Sequence, residues 1–306
     1  MVHAIWQGAV RRGVDKLWAL KTKNLARAGF VSHWHDLPDE HDIEKLHVLI
    51  NADKGNEPVW VFIHGFSSQA LDWEPLLHKL SDACAQVIAI DLPGHGQSPV
   101  PDQADLTPQA ILDAAVDAVK TLVPKNRGCV LVGNSMGGLV TVRATQILGD
   151  LVRATVLISP FGAPYSNKEL TNVLNTFHLT NYGKATAFVK KLFPNGVPAP
   201  GLAATSVFLW AHLNRPHLKT LREGAFSYPL LAEKELADMP PTLLVWGTDD
   251  FILPSSGLTF FRDSLPSKST EVLTPARYNH MPFVDFAPHV ANDIKVWAEK
   301  HKLLRP

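Results

Sequence analysis

The residues best suited to chemistry lie in the run Gly133–Gly138, which reads Gly-Asn-Ser-Met-Gly-Gly. The apolar run Cys129–Val132 precedes it and an apolar helical pattern follows, so the sequence predicts a strand, a sharp turn and a helix. Gly133 and Gly137 leave room where the strand and the helix nearly touch. Ser135 would lie at a helix N-terminus, whose dipole favours negative charge on the attacking oxygen. The pattern therefore predicts Ser135 as a nucleophile.

Two later loops contain the side chains that such a serine needs. A serine hydroxyl is a weak nucleophile at neutral pH and requires a base to accept its proton. The loop after the predicted strand Thr270–Leu273 contains His280, which is the expected base. The loop after the predicted strand Thr242–Trp246 contains Asp249 and Asp250, and either aspartate could orient the histidine.

A third loop completes the predicted site. A tetrahedral intermediate places negative charge on the former carbonyl oxygen, which then needs two N–H donors. Met136, directly after the nucleophile, offers one backbone N–H, and Phe66, after the predicted strand Val59–Ile63, offers the other. We expect His64 to hold this loop through hydrogen bonds without acting as a base. The run Asp91–Ser98 follows another strand and is interpreted as a structural turn.

These loops require a sheet that brings strand ends together. Short runs rich in aliphatic and β-branched residues predict buried parallel strands at Leu46–Ile50, Val59–Ile63, Gln86–Ile90, Cys129–Val132, Thr155–Ile158, Thr242–Trp246 and Thr270–Leu273. Helices are predicted between most of them, at 72–82, 107–122, 136–148, 257–264 and 286–302. This alternation predicts an α/β protein whose mainly parallel sheet is covered on both faces.

About eighty residues between two of these strands lack a strand pattern. Apolar helices are predicted there at 168–178, 184–193 and 201–213. We interpret residues 161–235 as a helical cap over the carboxyl edge of the sheet, where open α/β sheets bind ligands. The alternative is a set of surface helices without a role in binding. The core is then formed by residues 31–160 and 236–306, and the candidate pocket residues are Phe177, Phe188, Phe208 and Phe283.

Residues 1–30 form a separate basic amphipathic segment. Apolar residues such as Trp18 and Leu25 alternate with basic residues such as Lys16 and Lys23 at roughly helical spacing. A helix of this kind could lie on an anionic membrane surface as a peripheral contact. It could equally pack its apolar face on the body of the enzyme.

Composition limits the remaining function classes. The 29 basic and 29 acidic residues give a formal net charge of zero, which argues against a nucleic acid partner. No apolar run is long enough to cross a bilayer and no signal peptide is evident, so a cytosolic enzyme is expected. Cys84 and Cys129 are expected to be reduced core thiols rather than a disulfide or a reactive thiol. Four histidines lie close together in sequence: His33, His35, His41 and His47. A polar loop is expected there rather than a metal site.

With these motifs, the chain resembles the α/β-hydrolase superfamily over about residues 45–302. The matching features, in the same chain order, are the His64–Phe66 loop, the Asp91–Ser98 turn, the Gly133–Gly138 elbow, the Trp246–Pro254 loop and His280. The resemblance implies an α/β-hydrolase fold with an eight-stranded sheet and no cofactor. The family spacing selects Asp250 over Asp249 as the acid. Within the superfamily, the chain is most similar to bacterial family V lipases and esterases and to monoacylglycerol lipases.

One position departs from the family pattern. Glycine commonly precedes the catalytic histidine, whereas Asn279 occupies that position here. Asparagine tolerates a left-handed backbone, so a positive φ is expected at Asn279.

The resemblance implies cleavage of carboxylic esters through an acyl-enzyme on Ser135, with short- to medium-chain acyl esters or monoacylglycerols as substrates. The alternative is a carbon–carbon bond hydrolase of ring-cleavage dienoates, because such enzymes often share this elbow sequence. They usually carry tryptophans after the histidine, whereas this chain has Met281-Pro282-Phe283-Val284. A peptidase, a perhydrolase and a non-catalytic ligand-binding relative are weaker alternatives. A serine at the elbow excludes enzymes that use an aspartate nucleophile.

Overall fold

The computed structural model describes the backbone of residues 2–38, 43–101, 106–225 and 227–306, with side chains from Arg12 onward in those ranges. Within them, eight strands form one sheet in the order β1-β2-β4-β3-β5-β6-β7-β8. The strands are β1 (Phe30–Asp36), β2 (Lys45–Asn51), β3 (Val59–Ile63), β4 (Gln86–Ile90), β5 (Cys129–Ser135), β6 (Val152–Pro160), β7 (Thr242–Val245) and β8 (Thr270–Leu273). Strands β3 to β8 pair in parallel, which confirms the mainly parallel sheet.

The first two strands differ from the prediction. The strand predicted as parallel at Leu46–Ile50 is β2, which runs antiparallel to both of its neighbours. The polar loop predicted around His33 and His35 is wrong, because these residues lie on β1. This strand forms the edge of the sheet and exposes most of its side chains. An edge strand therefore lacks the continuous apolar run by which a buried strand is detected.

Helices cover both faces of the sheet. They are α1 (Val2–Arg27), α2 (Glu74–Leu80), α3 (Pro108–Leu122), α4 (Met136–Leu148), α5 (Asn167–Thr176), α6 (Tyr182–Leu192), α7 (Ala199–Leu213), α8 (Pro216–Gly224), α9 (Ser255–Ser264), α10 (Pro282–Asp285) and α11 (Ala287–Lys300). The side chains of β3 alternate between two buried clusters. Trp60 packs with Leu80 and Trp297 of α2 and α11, and Val61 packs with Val119 of α3.

Four helices, α5 to α8, lie between β6 and β7. The first begins at a capping box, in which Ser166 and Glu169 satisfy each other's backbone N–H groups. The side chain of Asn181 accepts a hydrogen bond from the N–H of Lys184 and caps α6. The sequence predicts three of these helices but not α8. That helix is short and begins at Pro216, which fits the first turn of a helix.

The N-terminal helix α1 packs on the rest of the chain. Leu25 is 1% exposed and belongs to the core cluster on one face of the sheet. The ring of Trp18 meets Phe208 of α7 edge-on, with centroids 5.8 Å apart. Lys21 forms an ion pair of 3.8 Å with Asp72. In the described ranges, no helix has both the length and the apolar composition needed to span a bilayer.

The two cysteines are buried and unpaired. Burial raises the pKa of Cys84 and of Cys129 to about 12, so both thiols stay protonated at neutral pH. They pack in different clusters of the core, as expected for reduced core thiols.

Candidate active site

Ser135 ends β5, and Met136 begins α4. The serine has φ 54° and ψ −120°, a strained conformation for a residue with a side chain. A Cβ at Gly133 would collide with the carbonyl of Gly137, and a Cβ at Gly137 would collide with the carbonyl of Ile63. The two glycines therefore allow the strand, the turn and the helix to approach closely enough to present the serine.

Asp250 follows β7 and His280 follows β8, and the two side chains meet. Nδ1 of His280 lies 2.8 Å from a carboxylate oxygen of Asp250, and the side chains are only 4% and 0% exposed. Burial alone would raise the pKa of Asp250. The imidazole of His280 and the backbone N–H of Leu253 outweigh burial and lower that pKa. The carboxylate is therefore ionised at neutral pH and fixes the orientation of the ring.

Asp249, the other aspartate of this loop, has different contacts. Its carboxylate accepts a hydrogen bond of 3.0 Å from the hydroxyl of Thr248. Its backbone N–H donates to the carbonyl of Tyr278. The structure thus brings Asp250 to His280 and leaves Asp249 as a turn residue.

Asn279 does not have the left-handed backbone expected from the sequence. The positive φ in this loop is 67° at Arg277, two residues earlier. The side chain of Asn279 donates to Asp285 at 2.6 Å and accepts from the N–H of Met281 at 3.0 Å. The role of Asn279 is therefore to connect the loop to α10 through the hydrogen bonds of its side-chain amide. It does not adopt a left-handed backbone conformation.

The two candidate oxyanion donors flank Ser135. Met136 is the first residue of α4, so its N–H has no acceptor within the helix. Across the described chain, the N–H of Phe66 donates to no backbone acceptor. The Phe66 loop is adjacent to the nucleophile, because a Cβ on Gly65 would lie 3.0 Å from Cβ of Ser135. Both amides are therefore available at the serine.

His64 holds the Phe66 loop from inside the protein. Its Nδ1 donates to the carbonyl of Gly65 at 2.8 Å, and its Nε2 accepts from the N–H of Leu92 at 3.0 Å. Complete burial lowers the pKa of His64. The ring is therefore neutral with both nitrogens in use, which agrees with a positioning role.

The Asp91–Ser98 run is a turn held by its own acidic residue. The carboxylate of Asp91 accepts hydrogen bonds from the N–H groups of Ala70 and Gln97, at 2.6 and 3.0 Å. It also lies 2.7 Å from Nδ1 of His47. These contacts use both oxygens, so the turn connects β2, β4 and the segment before α2.

The histidines considered as metal ligands are used in other ways. Both ring nitrogens of His47 are within hydrogen-bond distance of other side chains. Nε2 of His35 lies 2.6 Å from the hydroxyl of Thr121 on α3. His41 lies outside the described residues. Where the structure can be described, no group of three or more histidine, cysteine or acidic side chains could hold a metal ion.

Two cavities meet at Ser135. The wide cavity has a volume of about 920 Å³ and is lined by Ser135, His280, α1 and α7. The narrow pocket has a volume of about 60 Å³ and is lined by Ser135, Met136, α5 and α8. The serine and the histidine therefore face the same wide cavity, while the serine also borders a second space.

The four candidate pocket residues separate into two groups. Phe177 lines both cavities, and Phe188 and Phe208 line the wide cavity. Phe283 does not contribute: it is 1% exposed and stacks on Trp73, with ring centroids 3.9 Å apart. Phe283 follows the loop of His280 in sequence, but α10 directs its ring into the core.

The structure adds pocket residues that sequence reasoning missed. Val14, Leu17 and Trp18 of α1 line the wide cavity. Leu221 of the unpredicted helix α8 lines the narrow pocket. The apolar residues of α1 recur at helical spacing, so the sequence did carry a signal for a buried face. It gave no indication that this face borders the site.

Curated proteins similar to this chain include hydrolases. A curated protein named "Putative esterase/lipase 2" from Mycoplasma genitalium is 23% identical over 228 residues, which cover 72% of this chain and 80% of that protein. The 2-(acetamidomethylene)succinate hydrolase of Mesorhizobium japonicum is 33% identical over 145 residues, covering 45% of this chain and 50% of that protein. The match therefore spans only half the length of this second relative.

The fold is also shared with solved structures. The crystal structure of a membrane phospholipase A, a bacterial virulence factor, superposes with a TM-score of 0.79 at 21% identity and covers 98% of each chain. The family model described as the alpha/beta hydrolase family matches residues 60–293, which include Phe66, Ser135, Asp250 and His280. The chain therefore belongs to the alpha/beta hydrolase family.

Proposed function

We propose that this protein is a carboxylic ester hydrolase that works through an acyl-enzyme on Ser135. The main support is the 2.8 Å hydrogen bond between Asp250 and Nδ1 of His280, at a cavity that Ser135 also lines. With Nδ1 engaged, Nε2 is the nitrogen that can accept the serine proton. Both cavities have mainly apolar walls, which favours a small-molecule ester or a lipid as substrate.

Each step of the proposed reaction has a residue for it. His280 accepts the proton of Ser135 as the serine oxygen attacks the ester carbonyl carbon. The N–H groups of Phe66 and Met136 stabilise the oxyanion. The intermediate then collapses with cleavage of the C–O bond, and His280 gives its proton to the leaving alcohol. Water, deprotonated by His280, attacks the acyl-enzyme and releases the carboxylic acid and the free serine.

Replacement of the nucleophile tests the proposal. We expect Ser135→Ala to lower kcat for p-nitrophenyl butanoate by about 10⁴-fold or more, because no other oxygen can form the acyl-enzyme. A fluorophosphonate probe should label the wild type and not this variant. Ser227→Ala, at an exposed serine, is the matched control and should retain activity and labelling. Retained turnover in a folded Ser135→Ala protein would reject the assignment.

Cleavage of a carbon–carbon bond is the alternative activity for the same side chains. The Gly-Asn-Ser-Met-Gly-Gly elbow is compatible with it, and Ser135→Ala would abolish both activities. A coloured ring-cleavage dienoate assayed beside the p-nitrophenyl ester separates them. Turnover of the dienoate without turnover of esters would replace ester hydrolysis as the function.

We also propose that residues 161–235 act as a cap over the site. Phe177 of the α5–α6 connection and Phe188 of α6 line the wide cavity, and Leu221 of α8 lines the narrow pocket. A ligand bound at Ser135 would therefore contact the inserted helices on two sides. This arrangement supports a role in substrate binding and not only a surface position.

Finally, we propose peripheral contact of α1 with an anionic membrane surface. Arg12, Lys16, Lys23 and Arg27 are exposed, and their spacing places them on one face of the helix. The opposite face carries Leu25 and the residues that line the wide cavity. A basic stripe that faces away from the protein body attracts anionic lipid headgroups.

A further inference from the structure

The nucleophile lies between two spaces of very different size. Phe66, Ser135 and Phe177 line both the narrow pocket and the wide cavity. An ester bound at Ser135 has two arms, the acyl group and the alcohol, which leave the reacting carbon in different directions. Two spaces at one serine can therefore receive one arm each.

The chemistry of the reaction decides which arm enters which space. The leaving alcohol takes its proton from His280, so its oxygen must lie on the side of the imidazole. His280 and the next residue, Met281, line the wide cavity and not the narrow pocket. The narrow pocket is lined by Met136 and Leu253 beside Ser135, without a contribution from His280. The alcohol arm thus points into the wide cavity and the acyl arm into the narrow pocket.

We propose that the substrates are esters of a short acyl group with a large, mainly apolar alcohol. This inference rests on the proposed ester hydrolysis and names the substrate class of the same site. It narrows the sequence expectation of short- to medium-chain acyl esters, because the acyl arm meets the smaller space. The alcohol is then the longer part of the substrate.

Buried side chains limit the narrow pocket. Val173, Leu174 and Leu221 are 4%, 6% and 2% exposed and form part of its wall. Its volume of about 60 Å³ has room for a few water-sized groups. Arg222 is the charged residue of this wall, and its guanidinium donates to the carbonyl of Phe177 at 3.2 Å. A short acyl group fits this volume and its mainly apolar wall.

The wide cavity can hold a longer and partly polar group. Trp18 of α1 and Phe208 of α7 contact each other and line it. Lys21 and Asp72 form an ion pair and line it as well. An alkyl chain can pack on the aromatic side chains while a polar end of the alcohol meets the ion pair.

A pair of isomeric esters tests the assignment of the two arms. Octyl acetate and ethyl octanoate have the same atoms and similar hydrophobicity, but they exchange the long and the short arm. We expect kcat/KM for octyl acetate to exceed that for ethyl octanoate by about tenfold or more, because only the first isomer places the long chain in the wide cavity. Equal values, or a preference for ethyl octanoate, would overturn the inference.

Two variants should lower the ratio of kcat/KM for octyl acetate to kcat/KM for ethyl octanoate, one by enlarging the narrow pocket and the other by filling the wide cavity. Leu174→Ala enlarges the narrow pocket and should raise kcat/KM for ethyl octanoate relative to octyl acetate. Ala204→Trp fills part of the wide cavity and should lower kcat/KM for octyl acetate. Ala211→Trp is the matched control on the same helix, because Ala211 is exposed, and it should leave the ratio unchanged. A ratio that stays constant in both test variants would contradict the inference.

The assay also separates this inference from the proposed function. Hydrolysis of ethyl octanoate in preference to octyl acetate would leave ester hydrolysis standing and reject only the assignment of the arms. Hydrolysis of p-nitrophenyl acetate with neither isomer accepted would also reject it, since a wide cavity for the alcohol predicts turnover of octyl acetate. If the wild-type protein hydrolysed none of these three esters, the proposed function itself would be rejected.

Discussion

Asp250 is a buried carboxylate whose negative charge is stabilised by hydrogen bonds to both of its oxygens. One oxygen accepts hydrogen bonds from the N–H groups of Ile252 and Leu253, at 2.9 and 3.1 Å, and the other meets His280. An unpaired carboxylate at this depth would cost several kcal/mol, on the order of the desolvation penalty of one ion. The lowered pKa of Asp250 shows that its partners exceed that penalty. Ionisation of Asp250 therefore adds stability to the folded state, and the same contact orients the base.

The pH dependence of stability should report this pair. A carboxyl whose pKa is lower in the folded chain adds stability above its ordinary pKa, which is 3.8 for aspartate. That contribution disappears as the pH falls through the lowered value. We therefore expect the free energy of unfolding of the wild type to exceed that of Asp250→Asn most near neutral pH. The difference should shrink below about pH 4, as measured by urea unfolding at a series of pH values.

The matched control for this series is Asp249→Asn. Asp249 has a hydroxyl partner, Thr248, in place of an imidazole. Its replacement removes a carboxylate from the same loop and leaves the contact between Asp250 and His280 in place. An Asp250→Asn difference of the same size at neutral pH and at pH 3 would contradict the stabilising role of the charged pair.

Single residues show where sequence reasoning succeeds and where it fails. The sharp turn at Ser135 was predictable because the elbow sequence specifies its own backbone. The position of His280 beside Asp250 was predictable because each residue follows a recognisable strand. The role of Asn279 was not, because its partner Asp285 is identified only when the backbone of α10 is known. The prediction that Phe283 lines the pocket was wrong for the same reason. An aromatic residue near the site in sequence is compatible with either the pocket or the core.

At the scale of elements, the elbow depends on the contact between β3, β5 and α4. A Cβ on Gly137 would collide with the backbone carbonyls of Ile63 and His64. Backbone atoms in two packed elements cannot move aside as the end of a side chain can. This close approach is therefore a requirement of stability as well as of catalysis.

Gly137→Ala should lower the free energy of unfolding by about 3 kcal/mol, because the new methyl group overpacks this contact. Gly13→Ala is a useful comparison in α1, where an added Cβ has no atom within 4 Å. That change should be neutral or stabilising by about 0.5–1 kcal/mol, since alanine favours helix. Thermal unfolding of the two variants measures the contrast, and a Gly137→Ala protein as stable as the wild type would contradict it.

Elements that bury an apolar face were predictable, whereas those defined by distant partners were not. Strands β3, β4 and β8 have the predicted bounds, because each reads as a short run rich in β-branched and aliphatic residues. β1 was missed, because an edge strand is held by its backbone pairing to β2 and does not need apolar side chains. The sequence indicated two places for the apolar face of α1, a membrane or the protein body. The contact between Trp18 and Phe208 shows that this face packs on the body and leaves the basic face outward.

For the molecule as a whole, zero net charge conceals an uneven distribution. Six of the 29 basic residues and one of the 29 acidic residues lie between Val2 and Arg27. The rest of the chain therefore carries a net charge of −5. Opposite charges on α1 and on the body give the protein a preferred orientation in the field of an anionic surface.

Vesicle binding should depend on the exposed basic face of α1. Replacement of Lys16, Lys23 and Arg27 by glutamine should weaken binding to phosphatidylserine-containing vesicles by about 100-fold, since each charge near such a surface contributes about 1 kcal/mol. Co-flotation measures the bound fraction, which should also fall as salt is added. The control exchanges three exposed lysines on other elements for glutamine: Lys79, Lys125 and Lys268. Equal losses in the two triple variants, or equal binding of the wild type to uncharged vesicles, would show that α1 does not direct the protein to an anionic membrane.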